Sequence, residues 1–289
     1  MPRIVTPPPG SVPRLSLNRS SEFANGLQGW WPSSAAQSVG TKILRDLSGY
    51  GADGIIDDAP TFRASPTGTG FPTAPSPQSV KFIGASSSGE GVDVPGYSTG
   101  MTSAVTVASW IRFYGDNFAS MVDMWFKKNR PGGTDVSFAL LTYSNRVFRF
   151  TVEDGTGHQD FSSGFTLTSG YWWHTVGTYD GASAKLYVNG ELKSTHSHSN
   201  ALTGGAEPIA IGYKPGAGSS PQTPDVEITD TRIWSRTLST PAVWRLYRET
   251  LRGYGSLATQ PRIFWDPAEG AAAVAQSAPI LLATTQAGL

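Results

Sequence analysis

Cysteine is absent from the 289 residues, which removes thiol nucleophiles, zinc–thiolate sites, iron–sulfur clusters and disulfide frameworks together. That absence fixes no compartment. Charge is scarce and balanced: 22 Lys+Arg face 22 Asp+Glu, the net is zero, and charged residues are 15% of the chain against about 25% in an average domain. Phosphate neutralisation needs a clustered cationic surplus, so nucleic acid is not expected as a partner. No apolar run approaches the roughly 18 residues a membrane helix needs, and no membrane insertion is expected. Histidine is rare, four in all, and none stands in a His-Glu-x-x-His pair. Met1–Gly10 holds no apolar h-region, so no Sec leader is expected.

What the chain does have is turn formers and rings: 33 Gly, 21 Pro, 9 Trp, 10 Tyr and 13 Phe. Low charge with many turns and aromatics describes short strands packed in a sandwich or barrel. Strands are expected at 79–83, 105–113, 137–142, 146–152, 174–179, 184–188, 209–212 and 226–234, where Val, Ile, Thr and aromatics run between Gly, Asn, Asp or Pro. Asn189-Gly190, between Lys185-Leu-Tyr-Val and Glu191-Leu-Lys, predicts a type I′ hairpin. One helix is expected over 240–247, capped at Ser239 with Pro241 in its first turn. Residues 1–26, with Pro7-Pro8-Pro9, read as an extended arm, 27–250 as the folded body and 251–289 as a weakly apolar C-terminal extension. His196-Ser-His198 follows a hairpin in a polar stretch and reads as solvated loop.

Five segments stand in order along the body: Gly26-Leu-Gln-Gly-Trp-Trp-Pro32 with Asp46-Leu-Ser-Gly-Tyr-Gly-Ala-Asp-Gly54; Val80-Lys-Phe-Ile-Gly84 with Val92-Asp-Val-Pro95; Val105-Thr-Val-Ala-Ser-Trp-Ile111; Trp173-His-Thr-Val-Gly-Thr-Tyr-Asp-Gly181 with Lys185-Leu-Tyr-Val-Asn-Gly-Glu191; and Ile209-Ala-Ile-Gly212 with Ile228-Thr-Asp-Thr-Arg-Ile-Trp-Ser-Arg-Thr-Leu-Ser239. Together, over residues 27–250, they resemble the laminin-G-like, concanavalin A-like jelly-roll family. The resemblance implies an all-β, antiparallel two-sheet sandwich carrying extended N- and C-terminal arms. Phe82, Trp110, Trp173, Leu186, Val188 and Ile233 are expected to form the layer between the sheets. The family holds lectins, adhesion modules, structural decorations and enzymes alike, so fold and function part company here.

Three constellations bear chemistry. Asp225-Val-Glu227-Ile-Thr-Asp230 has acids at i, i+2 and i+5, as in the glucan-cleaving branch of the fold, and same-face strand neighbours lie about 6.6–7 Å apart, near a carboxylate-pair separation. Yet the residue types are exchanged relative to that branch, and the segment aligns with a non-catalytic closing strand, so the chain is expected not to be an enzyme. The resemblance also implies one structural Ca2+ at the rim, held by Asp46, Asp53 and Asp230; the alternative for Asp46 is an Asx turn. A saccharide surface needs exposed rings beside polar groups, and Trp125, Tyr143 and Tyr213 are the candidates. The expectation is a non-catalytic recognition or decoration module with a glycan- or surface-binding jelly roll. The arms would dock it on other structural proteins in an oligomer or assembly, as in virion surface proteins of tailed phages. It would lie on the virion surface or outside the cell; the alternatives are a glucan-type hydrolase and a bacterial surface adhesin.

Overall fold

The computed structural model describes residues 17, 19–33, 43–57, 61–64, 78–82, 91–95, 101, 103–114, 122–129, 136–154, 157–202, 208–212 and 225–255. The termini beyond these, and Tyr213 with them, lie outside the described residues. Two eight-stranded antiparallel sheets stack face to face. The first contains β1 (Leu27–Trp31), β4 (Thr61–Ala64), β5 (Gln78–Phe82), β7 (Val105–Phe113), β12 (Trp172–Tyr179), β13 (Ser183–Val188), β14 (Glu191–Ser197) and β16 (Val226–Trp234). Its order is β14-β13-β12-β7-β16-β5-β4, with β1 also paired to β16. The second contains β2 (Ile43–Leu44), β3 (Gly54–Asp57), β6 (Gly91–Val94), β8 (Val122–Asn129), β9 (Val136–Tyr143), β10 (Val147–Glu153), β11 (His158–Thr166) and β15 (Ile209–Ile211), in the order β11-β10-β9-β8-β15-β6-β3-β2. Among the described residues no helix is long and apolar enough to cross a membrane.

Alternation places Val105, Val107, Ile111 and Phe113 of β7, Phe148, Phe150 and Val152 of β10, and Leu186 and Val188 of β13 in one inter-sheet core. The sheets approach closely at Gly177, where an added β-carbon would come within 2.5 Å of the Phe150 ring. The hairpin turn is as expected: Asn189 (φ 52°) and Gly190 (φ 80°) both take the left-handed region that a type I′ turn demands.

Trp110 is not in the inter-sheet layer, and Trp173 joins it only as a half-buried ring. Trp110 faces the outer side of the first sheet, against Trp172 and Tyr247. Strand β7 is buried on both faces, so its pattern does not tell inside from outside. The second cover is helix α1 (Thr240–Gly255), whose Ala242, Val243, Leu246, Tyr247 and Thr250 recur at helical spacing and are buried on the sheet. The Ser239 hydroxyl accepts from the Ala242 N–H at 3.3 Å as its cap. The helix runs beyond the expected end at Tyr247 because its buried stripe continues through Thr250, whose Oγ1 accepts from Trp110 Nε1 at 3.0 Å.

The packed body begins before residue 27. A 3-10 turn at Glu22–Ala24 buries Phe23 with Leu27, Trp234 and Leu246, and Trp234 Nε1 donates to the Phe23 carbonyl at 2.7 Å. Arg245 of α1 grips Glu22 through two bonds of 2.6 and 2.8 Å and holds its carboxyl below the usual carboxylate range. The 196–198 stretch also departs from the loop reading. His196 belongs to β14, and its Nε2 lies 2.8 Å from the Ser162 carbonyl of β11, while His196 and His198 both pack on Phe161. These contacts close one edge of the sandwich.

His174 lies under the helix, 2% exposed, with its ring 5.1 Å from that of Trp110 and 5.9 Å from that of Tyr247. Its Nδ1 has no hydrogen-bond partner. Burial first, and then the Arg232 charge, push its pKa down to about 3. The unfolded chain takes up a proton near pH 6.5 that the folded chain refuses, so stability rises with pH across that window and is lost as pH falls through it. Below about pH 6 the expected contribution of this one ring is a loss of roughly 1.4 kcal/mol per pH unit. Urea unfolding at pH 7, 6 and 5 checks it: His174→Leu should flatten the profile by one proton, and an unchanged slope would contradict the assignment.

Candidate functional site

The three acids assigned to calcium do come together, as links in a hydrogen-bond chain. Asp46 Oδ1 accepts from the backbone N–H of Trp30 (2.9 Å) and of Ser48 (2.8 Å), closing an Asx turn. Its Oδ2 accepts from Ser48 Oγ (2.7 Å) and the Ala52 N–H (3.1 Å). Asp53 Oδ1 accepts from the Asp46 N–H at 2.9 Å, and Arg45 approaches its Oδ2 at 3.3 Å. Asp230 Oδ1 accepts from Trp30 Nε1 (2.7 Å) and Arg232 Nε (2.9 Å), its Oδ2 from Arg232 Nη2 (3.0 Å), and the guanidinium covers the Trp30 ring at 4.7 Å. Calcium needs carboxylate oxygens turned to one centre. Here they turn to N–H and O–H donors, and cations already stand beside Asp53 and Asp230. The arrangement does not fit the ion, and among the described residues no group of three or more His, Asp or Glu could hold a metal.

In the second acidic constellation Glu227 and Asp230 are buried, while the Asp225 side chain is 37% exposed. Val226, Ile228 and Ile233 enter the core, so Asp225 and Glu227 point to the outer face of the first sheet. A bulge between Thr229 and Arg232, with Asp230 at φ 52°, brings Asp230 to that side as well, against Trp30. The i, i+2, i+5 spacing therefore does gather one face. But Glu227 is 0% exposed, opposite Lys81 of β5 and Arg112 of β7, and Asp230 is 3% exposed. Asp225 lies 3.5 Å from Lys81 Nζ. No substrate reaches the central carboxylate in this conformation.

Of the three rings assigned to saccharide, Trp125 belongs to β8; Tyr143 ends β9, on the outer face of the second sheet. The Tyr143 hydroxyl donates to Asp160, which also accepts from Thr151, and Arg149 stands 4.8 Å over the Tyr143 ring. Burial, then the Asp160 hydrogen bond, push the Tyr143 phenol up to about 12. Tyr143 is thus a half-buried member of a polar network, with one ring face covered by a cation.

The accessible ring group was not among the candidates. Phe165 and Trp173 meet edge-on at 5.2 Å, and Tyr171 lies 6.3 Å from Trp173 at the same end of the sandwich. Lys193 Nζ stands 4.9 Å over the Phe165 ring and pairs with Glu191 at 2.9 Å. The signal was Ser169-Gly-Tyr-Trp-Trp173: consecutive strand residues face opposite ways, so one of two adjacent tryptophans had to leave the helix-covered face. Trp172 is that covered ring, at 3% exposure.

The Asp46 chain generates a test. Asp46→Ala removes an acceptor for four donors, three of them backbone N–H groups, and should cost about 3 kcal/mol or more in urea unfolding. Calcium chloride should leave the wild-type melting temperature unchanged; a rise with calcium concentration would show a bound ion and refute the fit drawn above.

No curated protein matches the sequence. Solved structures match in fold. The binding domain of botulinum neurotoxin DC, solved with rat synaptotagmin II, has a TM-score of 0.56 and 15% identity over 79% of this chain and 52% of that one. The binding domain of botulinum neurotoxin serotype D gives 0.54 and 17% over 78% and 52%. Trypanosoma rangeli sialidase, solved with 2,3-difluorosialic acid, gives 0.57 and 16% over 80% and 34%. The chain thus spans about half the length of the toxin chains and a third of the sialidase. A laminin-G model of the concanavalin A-like lectin/glucanases superfamily matches residues 86–243, more than half of the chain. With that match and two stacked antiparallel sheets, the chain belongs to the concanavalin A-like lectin/glucanase superfamily.

Proposed function

We propose that this domain is a non-catalytic recognition module that binds glycan. The observation that carries the reading is the burial of two of the three acids: Glu227 is fully enclosed beneath the outer face, and Asp230 is bonded to Trp30 and Arg232, so these two carboxylates serve the fold. The fold is shared by a toxin binding domain solved in complex with SialylT and by about a third of a sialidase chain. What favours binding here is that a ring is exposed at one end of the sandwich, with others half-buried beside it, while Glu227 and Asp230 are sealed on a sheet face.

A glycan array with the wild-type protein, run beside a reducing-sugar assay on a polysaccharide panel, tests this. Binding without release of reducing ends is expected. Release that disappears in Glu227→Gln would establish the hydrolase instead, with Asp225, Glu227 and Asp230 as its acids.

We further assign the module to a virion surface, as a capsid, tail or fibre decoration docked through the terminal segments. Its support is the sequence alone: a Pro-rich segment on one side of the sandwich and a weakly apolar one on the other. Mass spectrometry of purified particles should find the protein. Recovery from the cell envelope in place of particles would support a surface adhesin and end the virion placement.

A further inference from the structure

The end of the sandwich at residues 165–173 has features that packing does not require. Tyr171 is 43% exposed, although it borders the buried Trp172. It is also held in a fixed place. Gly170, at φ 83°, turns the chain and donates to the Phe113 carbonyl at 2.9 Å, and Ser169 Oγ donates to the same carbonyl at 3.2 Å. The Leu167 N–H donates to the Arg146 carbonyl at 2.9 Å, and Trp173 Nε1 to the Thr168 carbonyl at 2.9 Å. Both sheets thus anchor the loop, and its rings are ordered before any ligand arrives, which lowers the entropic cost of binding. A tyrosine ring offers a wide, stiff contact with few rotors to freeze.

The Phe165, Trp173 and Tyr171 rings are inclined to one another, by 70° at the first contact and 45° at the second, so they do not stack into a closed pile. Beside them stand Lys193, its side chain 23% exposed, and Glu191, its side chain 66% exposed, bonded at 2.9 Å. An ammonium donates and a carboxylate accepts, so the pair meets both needs of a sugar hydroxyl. Its charges cancel, so it gives no net attraction to an acidic or a basic ligand.

We propose that this end is the carbohydrate site, and that it takes a neutral oligosaccharide whose C–H faces lie on Tyr171 and Trp173 while its hydroxyls meet Lys193 and Glu191. The assignment rests on the glycan-binding reading and gives it a place and a ligand class.

The probes are cellohexaose, laminarihexaose, maltohexaose and xylohexaose, with sialyllactose as the charged comparison, titrated calorimetrically into the full chain. At least one neutral hexamer should bind. Tyr171→Ala should weaken it at least about tenfold with an unchanged melting curve, and Lys193→Gln should weaken it by a smaller factor. A neutral hexamer that binds wild type and Tyr171→Ala alike would overturn the site and leave glycan recognition standing. Binding of sialyllactose alone would overturn the ligand class. No binding to any glycan, on the array or in these titrations, would overturn both readings together.

Discussion

The first sheet depends on one irregular residue. Along one edge β16 is shared by two partners: β5 pairs with Val226–Ile228, and β1 pairs with the stretch from Thr231 to Trp234. Between them sits Asp230, at φ 52°, a conformation that costs a non-glycine residue about 1 kcal/mol or more and that aspartate tolerates better than most. Its carboxylate offsets that cost. It draws in the Trp30 indole and the Arg232 guanidinium, and Trp30 in turn donates its backbone N–H to Asp46. One buried charge therefore fixes the bulge, ties β1 to β16 and positions the turn at 46–53. Because it is paired and fully hydrogen-bonded, it avoids the penalty of an isolated charge.

In this arrangement the Asp46 and Asp230 carboxylates are taken up by donors of the chain itself. A carboxylate that receives backbone N–H groups organises a turn as a cation would, by holding separate chain segments to one point. Asp46 gathers Trp30, Ser48 and Ala52; a calcium ion would require the same oxygens to face away from those donors. The outer face follows the same logic. Helix α1 and the Phe23 turn cover Ala108, Val176, Tyr187 and Trp234, so polar residues on that face are sealed beneath them or beside them. His174 shows the consequence, as a ring kept neutral by its surroundings.

How much of this was legible depends on whether the governing interaction is local. The hairpin turn is written in two adjacent residues, Asn189 and Gly190, and the helix cap in one, Ser239. The closing strand is expected at 226–234 and is found there. The acid spacing on that strand is a true feature of the sequence, and the bulge even brings the three residues to one side. What the sequence could not reveal is that Glu227 itself is closed to solvent, because that is a tertiary fact. The side on which Trp110 lies is hidden for a related reason: on a strand buried on both faces, hydrophobicity carries no sign. The packing ahead of residue 27 is not legible because Phe23 is one apolar residue in a polar stretch, and its partners Trp234 and Leu246 are far along the chain.

The same geometry limits where this domain meets other molecules. Part of one sheet's outer face lies under α1, and the β11–β14 edge is drawn together by His196 on Ser162 and by the histidine rings on Phe161. The ends of the strands are different. There the chain must turn between sheets, and turns release side chains from the alternation that buries them. Tyr171 follows such a turn, and the next two residues return to the pattern as one outer and one inner tryptophan. A ring at that position gains nothing for the core, yet four hydrogen bonds hold its loop and its neighbour in place. Order without burial is what a recognition surface requires, and in this fold the strand ends are where the two occur together.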